Sequence, residues 1–467
     1  MANFEADYND LTEVPLELVS LASLRTISLM YNGAAGSLQS LSPTLETLRP
    51  DGIAVEAVPP TVDVALLTSK RLRIQGTQSP VRSFTPCLLM PACHYSSESW
   101  FASAVYANLR TNLPPEQMQY PSMDFPDGTD QFPHHSVVHK YLVAFADRFN
   151  LRRFIRLNTT VEGCSFNDEV WLLRLSDGTQ YEADKVILAN GHFRLPHFPL
   201  HLDIDPSIAS FHSRQYRRPD AFHGKVVVLV GAGTSAFDIA REIAPQAERV
   251  YISMRDDSSA GDLGETVDQL RPTRKDGSLA EIVAKGALRR TGPDGLVQFE
   301  DGSTVSHVHT IIWATGFDFT FPFMQLGESS ESTQLVDTTG AAVYNLYREM
   351  MYIPNPTLAI LGVNHRIWPF PVFEYQATLL SLYWTNALPL PTRSDMRAHE
   401  QGEAARWGYL PGSKESHRFG PDRQYAYLST IYDDLVATQP VPSLPKPIAD
   451  PDRRAQILRD RKLHLGY

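Results

Sequence analysis

Apolar positions along this chain keep two rhythms, and the place where one gives way to the other is sharpest in residues 225–255. Val226, Val227, Val228, Leu229 and Val230 stand in unbroken succession, which predicts a strand buried on both faces. The run stops at Gly231-Ala232-Gly233-Thr234-Ser235-Ala236, after which Phe237, Ile239, Ala240 and Ile243 recur at helical spacing. Val250, Tyr251 and Ile252 then predict a second strand, completing a βαβ unit.

The same reading elsewhere predicts a helix over 137–149 with Val138, Tyr141, Leu142 and Phe145 on one face. A β-meander follows over 155–175, turning at Asp177-Gly178. Strands at 185–189 and 309–314 run into Asn190-Gly191 and Thr315-Gly316, where Gly191 and Gly316 permit close backbone approach or a hinge. Prolines through Pro196 and Pro199 mark a crossing between modules, and later come a short strand at 358–362 and a helix over 375–383. Residues 1–95 are the hardest to read: a helix over 16–30 and a strand over 62–67 are the best assignments.

The glycine turn has chemistry of its own. Gly231 suits a tight turn, Gly233 leaves room for a pyrophosphate, and Ala236 stands where helix meets strand. Thr234 and Ser235 open the helix, whose N–H groups face the phosphate. The second strand runs out at Arg255, where an NAD site carries an acidic residue, so the 2′-phosphate of NADP is the expected ligand there.

Composition narrows the class. A chain of 467 residues suggests two or three modules, and 43% hydrophobic with 20% charged residues is globular. A net charge of −11, with scattered Lys and Arg, excludes nucleic acid and anionic membrane as partners. Cys87, Cys93 and Cys164 form neither a metal-ligand pattern nor a disulfide framework, so no metal and a reducing, cytoplasmic compartment are expected. No apolar run reaches transmembrane length.

Taken together, four segments give the chain a resemblance to the flavin-containing monooxygenases. They are Tyr106 to Met118, Lys185 to Pro199, His212 to Ala240 and Thr310 to Phe323, with a weaker fifth at Glu374-Tyr375-Gln376-Ala377. The resemblance implies an α/β protein with two Rossmann-like dinucleotide-binding domains, the NADPH domain inserted in a discontinuous FAD domain. On that plan residues 1–203 and 320–467 form the FAD domain with a C-terminal extension, and 204–319 bind NADPH. It further implies hydride transfer from NADPH to FAD, addition of O2 to give a C4a-hydroperoxyflavin, and oxygenation of a small organic substrate.

Residue by residue, Asn112 matches the family's active-site asparagine, whose neutral amide can hydrogen-bond flavin and peroxide without supplying a proton. Gly231, Gly233, Ser235 and Ala236 match the NADPH fingerprint, and Arg255 its 2′-phosphate position. His212, Ser213 and Tyr216 match the second half of a family signature. Pro206 and Ile208 stand where its first half has Phe and Gly. Tyr216 replaces the Trp usual in Baeyer–Villiger enzymes, which favours oxygenation at N or S over a ketone substrate.

The N-terminus departs from the family. Its GxGxSG turn for FAD is replaced by Ser20-Leu21-Ala22, and Ser69 stands near the usual ribose-binding carboxylate. A side chain where glycine is needed obstructs a pyrophosphate. An altered FAD loop and a non-catalytic NADP-binding or scaffold protein are therefore the competing readings of that end of the chain.

Overall fold

The five-residue apolar run does become the centre of a sheet. The computed structural model describes residues 103–199, 202–255, 272–326 and 334–438, with a few short pieces outside these ranges. The expected helix at 16–30, the strand at 62–67 and the altered segments at Ser20-Leu21-Ala22 and Ser69 lie outside the described residues. Two compact units divide the chain: Met1–His94, Leu113–His192 and Phe319–Pro451 form one, and Tyr95–Asn112, Phe193–Asp318 and Asp452–Tyr467 the other.

The second unit contains the βαβ element. Its sheet is wholly parallel, in the order Ala209–His212, Thr310–Trp313, Val226–Val230, Arg249–Ser253, Ile282–Lys285. Both faces of Val226–Val230 are covered, which is why the strand is apolar without alternation. Val227 and Leu229 pack with Ala236, Phe237, Ile239, Ala240 and Ile243 of the helix Thr234–Ile243. Val226 and Val228 pack on the other side with Leu288, Val297, Phe299 and Val305. Those four come from an antiparallel sheet of Leu288–Gly292, Leu296–Phe299 and Thr304–Val305. Each such fully buried Val or Leu contributes about 1.5–3 kcal/mol.

The first unit holds the helix His135–Arg148, which presents Tyr141 and Phe145 to the core with Val138 and Leu142 packed beside them. The meander is Val161–Phe166, Trp171–Leu175 and Gln180–Ala183, turning at Gly178 with φ 82°. The strand expected at 185–189 is Val186–Leu188, parallel to Leu358–Ile360.

The helix expected over 375–383 begins earlier, at Pro369, and spans Pro369–Trp384. Pro369 sits in the first turn, where no N–H partner is lost, so the proline starts the helix rather than ending what precedes it. Two further helices, Arg393–Trp407 and Pro421–Thr438, carry no strong apolar signal in the sequence. Arg393–Trp407 buries only Met396 and Ala404, and is delimited instead by a Thr392/Asp395 capping box and by Gly408 at φ 70°.

Candidate functional site

In an open parallel sheet, ligands gather at the carboxyl ends of the strands, where the strand order reverses. Here the reversal falls at Val226–Val230: the chain proceeds outward on one side to Arg249–Ser253, while the other neighbour is the late strand Thr310–Trp313. Val230 pairs in register with both Ser253 and Trp313, and Trp313 with His212, so these four residues form one row at the carboxyl edge. The glycine turn rises from the middle of that row.

Gly231 is fixed there by a steric requirement. Its backbone adopts φ 128°, and a Cβ added to it would lie 2.3 Å from the Ala314 carbonyl oxygen. The Gly231 N–H donates to Ser253 O at 3.0 Å, and Ala314 N–H donates to Val230 O at 2.8 Å, which locks the three strand ends together. Gly233 caps the helix in extended conformation, φ −80° and ψ 169°, and no side chain caps the helix start. The first N–H groups of a helix have no intrahelical acceptor, so those of Thr234 and Ser235 remain available to a ligand. Ser235 is exposed and Ala236 fully buried, which puts the polar residue outward and the small one against the sheet. Arg255 is exposed, two residues beyond the strand Arg249–Ser253. The arrangement suits a phosphate-bearing ligand.

His212 shares this edge but both its ring nitrogens are occupied by backbone. The Arg214 N–H donates to Nδ1 at 3.1 Å, which leaves Nε2 to donate to Gly316 O at 2.9 Å. The geometry thereby selects the neutral tautomer, and burial lowers its pKa from 6.5 to about 4. His212 holds the crossing segment in place: Gly316, left-handed at φ 88°, also accepts from the His197 N–H at 3.0 Å. The histidine expected at a cofactor thus anchors the loop beside it. Ser213 opens the short turn Ser213–Gln215 and is buried.

Tyr216 is not brought to the turn. It is 1% exposed, packs against Tyr106 with ring centroids 5.4 Å apart, and donates its hydroxyl to Glu242. Glu242 lies in the last turn of the helix that Thr234 begins, so Tyr216 serves the opposite edge of the sheet. A cavity of about 450 Å³ at that edge is lined by Tyr216, Phe222, Lys225 and the strand-opening residues Ala209 and Thr310. The structure thus places Tyr216, expected beside the cofactor, in the core at that edge.

Asn112 sits half-buried in a bend, and among the described residues its amide makes no hydrogen bond. It ends the first segment of the second unit. Gly191 belongs to the other unit, left-handed at φ 66°. Sequence reasoning did not single out Glu242, and Tyr106 and Asn108 entered only as part of the segment Tyr106 to Met118. Glu242 follows Asp238 at helical spacing on the helix Thr234–Ile243.

A profile of the flavin-binding monooxygenase-like family matches residues 95–275, a range that contains Asn112, His212 to Tyr216, the glycine turn and Arg255. Flavin-containing monooxygenase FMO GS-OX-like 2 of Arabidopsis thaliana is 30% identical over 354 residues, covering 71% of each chain. The chain belongs to the flavin-containing monooxygenase family. Flavin-containing monooxygenase ustF2 of Aspergillus flavus is 29% identical over 330 residues, 65% of this chain and 66% of that protein. Thus the match spans just under two thirds of that relative. Among solved structures, S-allyl-L-cysteine S-oxygenase from Allium sativum superposes with a TM-score of 0.60 at 25% identity, covering 77% of this chain and 85% of that one. The α/β dinucleotide-binding architecture expected from the sequence is the architecture of these flavin monooxygenases.

Proposed function

We propose that this family member is an NADPH- and FAD-dependent monooxygenase that oxygenates a small organic molecule at nitrogen or sulfur. The observation that carries the reading is the glycine turn at the strand-order reversal, with unclaimed helix N–H groups above it and Arg255 at the next strand end. Those are the parts a dinucleotide needs: donors for the pyrophosphate and a cation for a 2′-phosphate.

Bound NADPH would supply hydride to the flavin, and O2 is the co-substrate. The roles of the chain are to bind, orient and exclude water. Gly231 keeps side-chain bulk out of the turn, Thr234 and Ser235 N–H groups receive the pyrophosphate, and Arg255 receives the 2′-phosphate. Asn112 offers an uncharged amide that can donate through its NH2 and accept through its carbonyl oxygen without supplying an ionisable proton. The His212 ring stays neutral at physiological pH and keeps Gly316 in position beside Trp313.

Oxygenation at sulfur or nitrogen is favoured by likeness to a protein named as an S-allyl-L-cysteine S-oxygenase. Product analysis with a thioether, a tertiary amine and a cyclic ketone tests it. Sulfoxide or N-oxide without lactone supports the proposal; lactone as the main product overturns it.

A further inference from the structure

Glu242 is a costly residue where it stands. Its carboxyl is largely buried, and it occupies the last turn of Thr234–Ile243, where the helix dipole disfavours negative charge. Burial is the leading cause of its raised pKa. An apolar residue of similar size would pack there at lower cost. Its partners show what the carboxyl does instead. The Tyr216 hydroxyl donates to it, and the Asn108 side chain is hydrogen-bonded to it as well.

Asn108 belongs to the segment 103–112, which contains no helix or extended strand, only a bridge residue at Arg110. Among the contacts that hold it are the following. Ala107 N–H donates to Arg217 O at 3.0 Å, and Arg217 Nη2 donates to Ser103 O at 2.8 Å. Tyr106 packs edge-on against Tyr216, with an interplanar angle of 67°. Leu109 packs on the apolar cluster that contains Tyr216, Phe222 and Ile243. Four residues after Asn108 comes Asn112.

We propose that Glu242, acting through Asn108 and Tyr216, is a positioning residue that latches the segment 103–112 to the nucleotide-binding helix and so sets where Asn112 stands. The proposal rests on the reading of Asn112 as the reaction-centre residue. It makes one helix serve two tasks: its first turn receives the nucleotide, and its last turn holds the strap that leads to the amide. Loss of the latch leaves the nucleotide turn intact and frees the strap.

Hydrogen–deuterium exchange on the full-length purified protein tests this without requiring turnover. Tyr216→Phe removes one hydroxyl and keeps the ring; Glu242→Leu removes the carboxyl and relieves its burial. Both should raise exchange across 103–112 by about tenfold or more while leaving the strand Val226–Val230 protected. Glu242→Gln, which still accepts from Tyr216, should restore most of the protection. Unchanged exchange in Tyr216→Phe and Glu242→Leu overturns the latch. In FAD-loaded protein the two variants should release more hydrogen peroxide per NADPH at unaltered KM for NADPH; a loosened strap with unchanged peroxide overturns the positioning role. Asn112→Ala separates the two levels. Peroxide unchanged in that variant, with exchange still responding to Tyr216→Phe, removes Asn112 from the reaction and the positioning claim with it, while the latch itself stands.

Discussion

Gly231 and Ala314 approach so closely that a Cβ on the first would lie 2.3 Å from the carbonyl oxygen of the second. That contact joins the strand leading into the glycine turn to the strand leading into Gly316. It gives Gly231 a reason to be glycine that is independent of any bound phosphate.

Gly231→Ala should therefore destabilise the protein even with no nucleotide present. The forbidden backbone angle and the clash with main chain together cost at least about 3 kcal/mol, or roughly 6 °C or more in Tm. Thermal unfolding of the ligand-free variant is the check, and a Tm within 1–2 °C of the parent, taking that margin as roughly the noise of the comparison, would remove the steric account.

Arg255→Ala should weaken NADPH far more than NADH. A charge-assisted contact to a phosphate contributes about 1.5–3 kcal/mol, so KM for NADPH should rise roughly ten- to a hundredfold, with little change for NADH. Equal losses for both cofactors would refute a 2′-phosphate role.

Much of this was legible in the sequence. The βαβ unit was readable because every level agrees there: five apolar residues, too many for a one-faced strand, a glycine turn, and an amphipathic helix whose apolar face is the buried one. The helix Arg393–Trp407 was not, because its ends are set by capping and a left-handed glycine rather than by an apolar stripe. The start of Pro369–Trp384 was hidden by prolines that also occur in loops. The family motif brought His212 and Tyr216 forward as a pair, yet one short turn, Ser213–Gln215, carries them to opposite edges of the sheet. Spacing along the chain does not reveal that reversal, and Glu242, a polar residue on an amphipathic helix, gives no sign of being buried.

Acid should loosen the fold before it titrates most carboxylates. Burial lowers the pKa of His192 and His212 from 6.5 to about 4 and that of His365 to about 2. The unfolded chain takes up protons near pH 6.5 that the folded protein refuses, so this stabilisation is complete above about pH 6.5 and is lost as pH falls toward 4 and below. Tm should fall between pH 7 and 5, and His212→Gln should lessen the slope. A Tm that is flat or rises over that interval would contradict buried neutral histidines.

Asn112→Ala should separate NADPH consumption from substrate oxygenation. Product per NADPH should fall on the order of tenfold, with the missing equivalents recovered as hydrogen peroxide, because the variant loses one amide and no charge. Full coupling in the variant would take Asn112 out of the site.

The most direct measurement is the visible absorbance spectrum of the purified protein, after incubation with FAD and then with NADPH without oxygen. If the chain is an NADPH-dependent flavin monooxygenase, flavin bands remain with the protein after removal of free FAD, bleach on adding NADPH, and return on admitting air. A protein that stays colourless after FAD, or whose flavin bands are untouched by NADPH, would contradict the account.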